Sequence, residues 1–425
     1  MTEDLYFSTN GLKLTKVNKS YFKNDIELVM RTELSTRPYT SEEFVVETNH
    51  AVSEFIDKSF DHIIFLIGAG GSVIVNKDGS VNAEYGKTVA MIAQQVYETL
   101  EHGTMIVKRW DGIADATSVA EKQVFTLEEM SKKIGYMDNI FVPSQSPRKV
   151  SNDFNLENFL SRLITYSEFA GKDKEKWQDS KDAIFDIIQD QTEYEFDNSV
   201  FKHTKLINLL SKRLASENKL SIVTTNYDTL IEDAAETMGY TVFDGFSFSR
   251  TPRFDEDMFE WHLSKPVSNM QTRQNVYKKQ VFDLLKIHGS LTWRQSQSGN
   301  HVVRLNKHAP GRPVMIFPSS DKYMHSYEEP YFELFSRFQE LLKQPNTLFV
   351  TSGFSFADNH ISRMIIQAIK HNTSLYTLIS DYSISPSVPN KNWKELEEMS
   401  QDAYSIALLR ASLNGELSQY LGDLR

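Results

Sequence analysis

Five short clusters carry the residue types that can do chemistry, and each follows an apolar run. The first is Gly68, Ala69, Gly70, Gly71 and Ser72, after IIFLI. Glycines at a strand end let backbone approach a phosphate, and exposed N–H groups there bind it. The same composition also suits a plain tight turn. Val73 stands where G-x-G-x-x-G has its last glycine, so the dinucleotide fingerprint is incomplete. The second cluster is SIVTTNYDTLIEDAAE, with Thr225, Asn226 and Asp228. An asparagine amide both donates and accepts, and can orient a water or a hydroxyl. Asp228 or Thr229 reads equally well as a helix cap, with Glu232 completing a capping box from Thr229. The third is LLKIHGSLTW. His288 there can take a proton near neutral pH, although a lone histidine is more often a packed residue. The fourth, VTSGFSFADNHI, offers Gly353 and Ser355 to a ribose or phosphate, or is a helix start capped by Asp358. The fifth is LISDYS, in which Asp381 holds a ribose hydroxyl or begins a turn. No H-E-x-x-H or other metal-ligand spacing occurs, and no metal is expected.

The elements that must position these residues can be read from the apolar runs 63–67, 221–225, 241–243, 284–287, 314–317, 348–351 and 375–379. Short runs that are apolar throughout predict strands buried on both faces, hence a parallel sheet. Amphipathic helical stretches lie between them, at 83–102, 206–214, 229–238 and 332–342. In the first, Val89, Ile92, Ala93, Val96, Tyr97 and Leu100 share one face. Strand alternating with helix predicts an α/β fold, a Rossmann-like doubly wound parallel sheet. About 150 residues separate the first two strands, far more than an ordinary crossover. That stretch reads as a large helical insertion, with helices at 83–102, 127–134, 156–169 and 183–192. The expected organisation is an N-terminal extension (1–60), a catalytic nucleotide-binding domain (61–385) with its insert at about 80–204, and a C-terminal helical tail (386–425) that packs on the sheet or serves as an arm in assembly. The aromatic and charged segment 248–282 reads as a lid or an interface element.

Composition bounds the function. The 425 residues are 40% hydrophobic and 12% aromatic, enough for a real core. Lys+Arg 46 against Asp+Glu 57 gives a net charge of −11, which argues against direct sequence-specific nucleic-acid binding. The absence of cysteine excludes disulfides, thiolate zinc sites, Fe–S clusters and a cysteine nucleophile. MTEDLYFSTNG has no basic and then apolar pattern, so no secretory signal is expected. No run approaches the ~20 apolar residues of a membrane span. The expected location is the cytoplasm.

Taken in order, GAG-x-S, T-x-N-x-D, H-G and G-x-S, each at a strand end, resemble the NAD-binding domain of sirtuins over roughly residues 63–381. The resemblance implies that Gly68, Ala69, Gly70, Gly71 and Ser72 hold the diphosphate. It implies that Thr225, Asn226 and Asp228 line the nicotinamide–ribose pocket, that Asn226, His288 and Asp228 are the catalytic residues, with His288 the base and Asp228 steadying developing positive charge, and that Gly353, Ser355 and Asp381 lie near the adenosine. The zinc ribbon of protein deacylases cannot form without cysteine. VIVNKDGSVNAEYG replaces their G-I-P-D-F-R continuation, and IFPSSDKY their acyl-lysine floor. What remains is similar to the sirtuin-like NAD hydrolases of bacterial antiphage defence, which split NAD into nicotinamide and ADP-ribose. About 45 residues follow Asp381, few for a folded sensor domain. The resemblance therefore implies the effector that pairs with a HerA-like ATPase and is a homo-oligomer. A sirtuin-type ADP-ribosyltransferase or deacylase, and a non-catalytic NAD or ADP-ribose scaffold bound to an ATPase, are the alternatives.

Overall fold

The computed structural model describes residues 3–422 apart from 32–34, 77, 83, 111–116, 137–139, 144–146, 152–153, 155, 170, 268–274, 297–300, 310–312, 316–328 and 385–389. One sheet of eleven strands organises it. In chain order these are β1 (Glu3–Thr9), β2 (Leu12–Val17), β3 (Ser20–Lys23), β4 (Ile26–Glu27), β5 (His62–Ile67) and β6 (Leu220–Thr224). Then come β7 (Thr241–Phe243), β8 (Val281–Lys286), β9 (Thr347–Ser352), β10 (Leu375–Asp381) and β11 (Ile406–Arg410). Their order across the sheet is β7-β8-β6-β5-β9-β10-β11-β1-β2-β3-β4. The seven strands from β7 to β11 run parallel, and the four N-terminal strands extend the sheet antiparallel from β11.

The apolar runs become central strands because neither sheet face meets water. On β5, Ile64 and Leu66 enter one hydrophobic cluster, while Ile63, Phe65 and Ile67 enter the other. The helices are α1 (Ser41–Ile56), α2 (Val89–Leu100), α3 (Leu127–Lys133), α4 (Leu156–Glu168), α5 (Lys174–Thr192) and α6 (His203–Ser211). They continue with α7 (Leu230–Met238), α8 (Tyr331–Lys343), α9 (Asn359–His371), α10 (Lys391–Gln401) and α11 (Leu417–Gly422). Buried residues of α8, α9 and α10 cover the first face. Those of α1, α6, α7 and α11 cover the second. The fold is therefore α/β and doubly wound.

Residues 80–204 contribute α2 to α5 and a cluster of their own, including Val96, Leu100, Phe159, Leu163, Trp177 and Ile184. The stretch is not helical throughout: an antiparallel hairpin, Thr104–Trp110 with Thr117–Gln123, follows α2. The helix expected from 83 begins at Val89, because Thr88 caps it by accepting from Met91 N. Three further expectations are corrected. The run 314–317 does not join the parallel sheet. Pro313–Met315 pairs antiparallel with Gly289–Gln295 in a separate three-stranded sheet, and 316–317 lie outside the described residues. The tail, read as helical, also supplies β11, whose apolar Ile406–Leu409 is buried like the other strands. The capping box at Thr229 does not form. Its hydroxyl donates instead to Asp233 at 2.8 Å. Among the described residues, no helix is long and apolar enough to cross a membrane.

Phe65 fills the second face at the centre of the sheet. Phe65→Ala is expected to lower unfolding free energy by about 3–5 kcal/mol. Denaturant titration measures this, and a loss under ~1 kcal/mol would contradict the packing described.

Candidate functional site

The topology decides where a site can be. From β5 the chain passes to neighbouring β6, crosses to the edge strand β7, comes back to β8 between them, and then returns to β9 on the other side of β5. Diverging connections leave a crevice beyond the carboxyl ends of β5 and β9, where ligands bind in open α/β sheets. Two turns meet there. Ala69–Gly71 is a 3-10 turn, and Gly70 N donates to Gly353 O at 2.9 Å. Gly68 N donates to Ser352 O at 3.0 Å. A Cβ on Gly68 would lie 2.5 Å from Gly353 O. Gly353 has φ +65°, and its Cβ would lie 2.4 Å from Gly71 N. These glycines are required by backbone touching backbone. The turn does not present a ring of free amides, as the strand-end reading allowed. Gly68, Gly70, Gly71 and Ser72 N–H all donate to backbone carbonyls. What it offers a ligand is close approach past residues with little or no side chain.

The end of β6 is tied to this turn. Thr225 N donates to Ile67 O at 3.2 Å. Thr224 Oγ1 donates to the same carbonyl at 2.9 Å and accepts from Asn226 N at 3.0 Å. Asn226 Nδ2 donates to Ser72 Oγ at 2.9 Å, and Ser72 Oγ donates to Asp228 Oδ2 at 2.6 Å. Asp228 Oδ1 accepts from Leu230 N at 3.2 Å. Asp228 is only 5% exposed, so it supports Ser72 and the start of α7 from beneath. Burial pushes its carboxyl up from the usual aspartate range. Lys286, the hydrogen bond from Ser72, Leu230 N and Asn226 all counter that push.

His288 stands two residues past β8 and is 5% exposed. Its loop is fastened to the Asn226 loop: Ile287 N donates to Thr224 O, and Leu291 N to Tyr227 O, both at 3.0 Å. His288 Nε2 lies 3.5 Å from Asp358 Oδ2. Asp358 also caps α9, its Oδ1 accepting from His360 N at 3.0 Å and Ile361 N at 3.4 Å. The cap reading of Asp358 is therefore right. Its second oxygen, which faces the histidine, was not legible without the fold.

Gly68, Ala69, Gly70, Gly71, Ser72, Thr225, Asn226, Asp228 and Gly353 thus form one bonded group, with His288 on the adjoining loop. Ser355 stands apart. It is exposed, its hydroxyl accepts from Ala357 N at 3.4 Å, and its carbonyl accepts from Asn390 Nδ2 at 2.9 Å. Asp381 ends β10, one strand beyond β9, where Gly353 N donates to Ser380 O at 3.3 Å. Burial pushes its carboxyl up to about 6, opposed by hydrogen bonds from Tyr382 N and Ser383 N. Two residues carried no sequence signal as site members, Lys286 and Glu232. Lys286 is 2% exposed. It reads as one more residue in the run LLKI, and only the register of β8 against β6 sets it beside α7. No group of three or more His, Cys, Asp or Glu positioned for a metal occurs among the described residues.

The comparisons bear on this arrangement. Residues 220–404 match the family model described as SIR2-like domain. This SIR2-like region is less than half of the chain. It contains Asn226, Asp228, His288, Gly353, Ser355 and Asp381, and leaves the Gly68–Ser72 turn outside. No curated protein matches the sequence. A solved chain described as "Structural Basis for the Mechanism and Regulation of Sir2 Enzymes" aligns with 88% of this chain and 96% of its own length. Its sequence identity is 9% and its TM-score 0.37.

Two outcomes test this geometry. Gly353→Ala is expected to cost about 1–3 kcal/mol, with amide exchange speeding up at 68–72 and unchanged in α3–α5. Unchanged exchange at 68–72 would contradict the backbone contact. Asp381 has its carboxyl raised on folding, so its stabilising contribution is present below the unfolded aspartate range and is lost as pH rises through about 6. Asp381→Asn should therefore unfold at a higher temperature than the parent above about pH 6, and the gap should close toward about pH 4. A gap independent of pH would contradict the raised carboxyl.

Proposed function

We propose that this chain is an NAD glycohydrolase, with NAD as its substrate, cleaved to nicotinamide and ADP-ribose. The observation that supports the reading is the bonded group at the switch point: a glycine turn, Ser72 and Asn226 on two adjoining strand ends, with His288 on the next loop. The donor set suits the substrate. Backbone without bulky side chains admits a diphosphate, the Asn226 amide can hold a ribose hydroxyl or a water, and Asp381 can accept from hydroxyls. The SIR2-like match over 220–404 supports an NAD-related role for the strand ends that carry Asn226, His288 and Gly353.

In the proposed reaction the C1′–N1 bond breaks and nicotinamide leaves as a neutral molecule. Water forms the new bond to C1′ and gives its proton to His288. The leaving group needs little acid help, because it departs from a cation. General-base help is typically worth ~10²–10⁴-fold. Asn226 orients the water or ribose, a positioning effect. Asp228 works from below, through Ser72. Hydrolysis is favoured over lysine deacylation because the chain lacks the zinc cysteines of deacylases. We place the activity in the cytoplasm, as a homo-oligomeric antiphage effector working beside a HerA-like ATPase, on the sequence resemblance.

Purified protein is expected to release nicotinamide from NAD, with and without candidate partners. His288→Ala and Asn226→Ala should each lower kcat by at least ~10²-fold with an unchanged melting temperature. Full activity in both variants would contradict the assignment. Label from NAD that ends on protein rather than in free ADP-ribose would favour the transferase reading.

A further inference from the structure

Asp358 turns its two oxygens to two different elements. Oδ1 caps α9, accepting from His360 N at 3.0 Å and Ile361 N at 3.4 Å. Oδ2 lies 3.5 Å from His288 Nε2 on the loop after β8. An N-cap needs one acceptor, and an uncharged asparagine or serine serves it as well. The second oxygen and the negative charge are therefore surplus to the cap.

The backbone before Asp358 is also held more firmly than a cap requires. Phe356 has φ +56°, a strained conformation for a bulky residue. It is locked there from two sides. Its carbonyl accepts from Ser362 Oγ at 3.0 Å and from Asn392 Nδ2 at 3.1 Å. Its ring is buried against Phe354 and Trp393. Strain of this kind persists where the surroundings fix a residue for a purpose. Here it fixes the chain that delivers Asp358 to His288.

The same geometry sets the charge. Two backbone N–H groups and the positive end of the 13-residue helix α9 favour the carboxylate over the acid. A carboxylate this close to an imidazole favours the imidazolium. The two side chains are only 6% and 13% exposed, so water and salt screen the pair little.

We infer that Asp358 is a positioning residue for the base: fixed to α9 by one oxygen, it steadies the His288 ring with the other and stabilises the imidazolium formed when His288 takes the proton of water. This rests on the NAD hydrolase reading of the same site. Other titratable groups stand on the elements that meet here. Lys286 on β8 is bonded to the Asp228 carbonyl and to Glu232 of α7. Asp228 is bonded to Ser72, and His360 sets its ring against Phe335. Tyr331 of α8 brings its hydroxyl beside Gly289. All of them stay in place when Asp358 is changed.

The experiment compares Asp358→Asn and Asp358→Ser, each alone and in the His288→Ala background, with the parent protein. Nicotinamide release, NAD binding and melting temperature are measured from about pH 5 to about pH 9. Both substitutions keep a cap, so a role in the cap alone predicts parent-like kcat and a parent-like pH profile. The inference predicts that each lowers kcat about 10-fold, with a smaller change in KM. It also predicts that the acid limb of the kcat profile moves down by about one pH unit, because a ring without its anion releases its proton more readily. In the His288→Ala background neither substitution should lower kcat further, since the group through which Asp358 acts is gone. Parent-like kcat and pH profile in both variants overturn the role of Asp358 and leave the hydrolase reading intact. So does a loss of the same size with His288 absent, or a loss confined to KM. A parent protein that neither binds nor splits NAD overturns both.

Discussion

The contact between two backbone turns is the constraint on which the rest of this structure depends. Gly68 and Gly70 at the end of β5 lie against Gly353 at the end of β9, at distances no Cβ could occupy. The two strands are neighbours because the chain returns to β9 on the free side of β5 after building β6, β7 and β8 on the other side. A side chain at this junction would push the strand ends apart. The glycines keep them together and leave the crevice floor as bare backbone. Beside this floor Ser72 and Asn226 bond to each other, and the loop that carries His288 is fastened to the Asn226 loop by backbone hydrogen bonds.

A second layer holds the floor from below. Asp228, Ser72, Lys286 and Glu232 are charged or polar groups enclosed between β6, β8 and α7. Burying such groups costs free energy unless each finds a partner. Here the partners are the site residues themselves, so the cost of burial also yields fixed orientation. Farther along the sheet a second buried pair follows the same pattern. Lys219 pairs with Asp283 at 2.7 Å and donates to Phe259 O and Trp261 O, fastening segment 248–282 to the start of β6.

The central strands were legible because uninterrupted apolar runs have one physical use in a domain of this size: burial on both faces. The strand-end positions of Gly68, Asn226, His288 and Gly353 followed from the same runs. Other features depended on partners distant in sequence. Strand β11 is as apolar as β10 but follows a Pro-bearing linker, and only its pairing with β10 and β1 reveals it. The run at 314–317 has strand composition yet finds its partner in Gly289–Gln295 rather than in the large sheet. Thr229 and Glu232 have capping-box spacing, but Lys286, 54 residues from Glu232, takes that carboxylate. Asp358 shows the limit most clearly. Its cap to α9 is local and readable, whereas its approach to His288 spans the whole of 289–357.

The claim that organises this account is that NAD lies across the strand ends at the switch point. Amide exchange of the His288→Ala protein, with and without saturating NAD, tests it most directly, because a variant without the proposed base is expected to bind NAD without consuming it. The account predicts slowed exchange at 68–73, 225–228, 287–290 and 352–356, with α3 to α5 unaffected. Protection confined to the insert or to segment 248–282, or none anywhere, would contradict it.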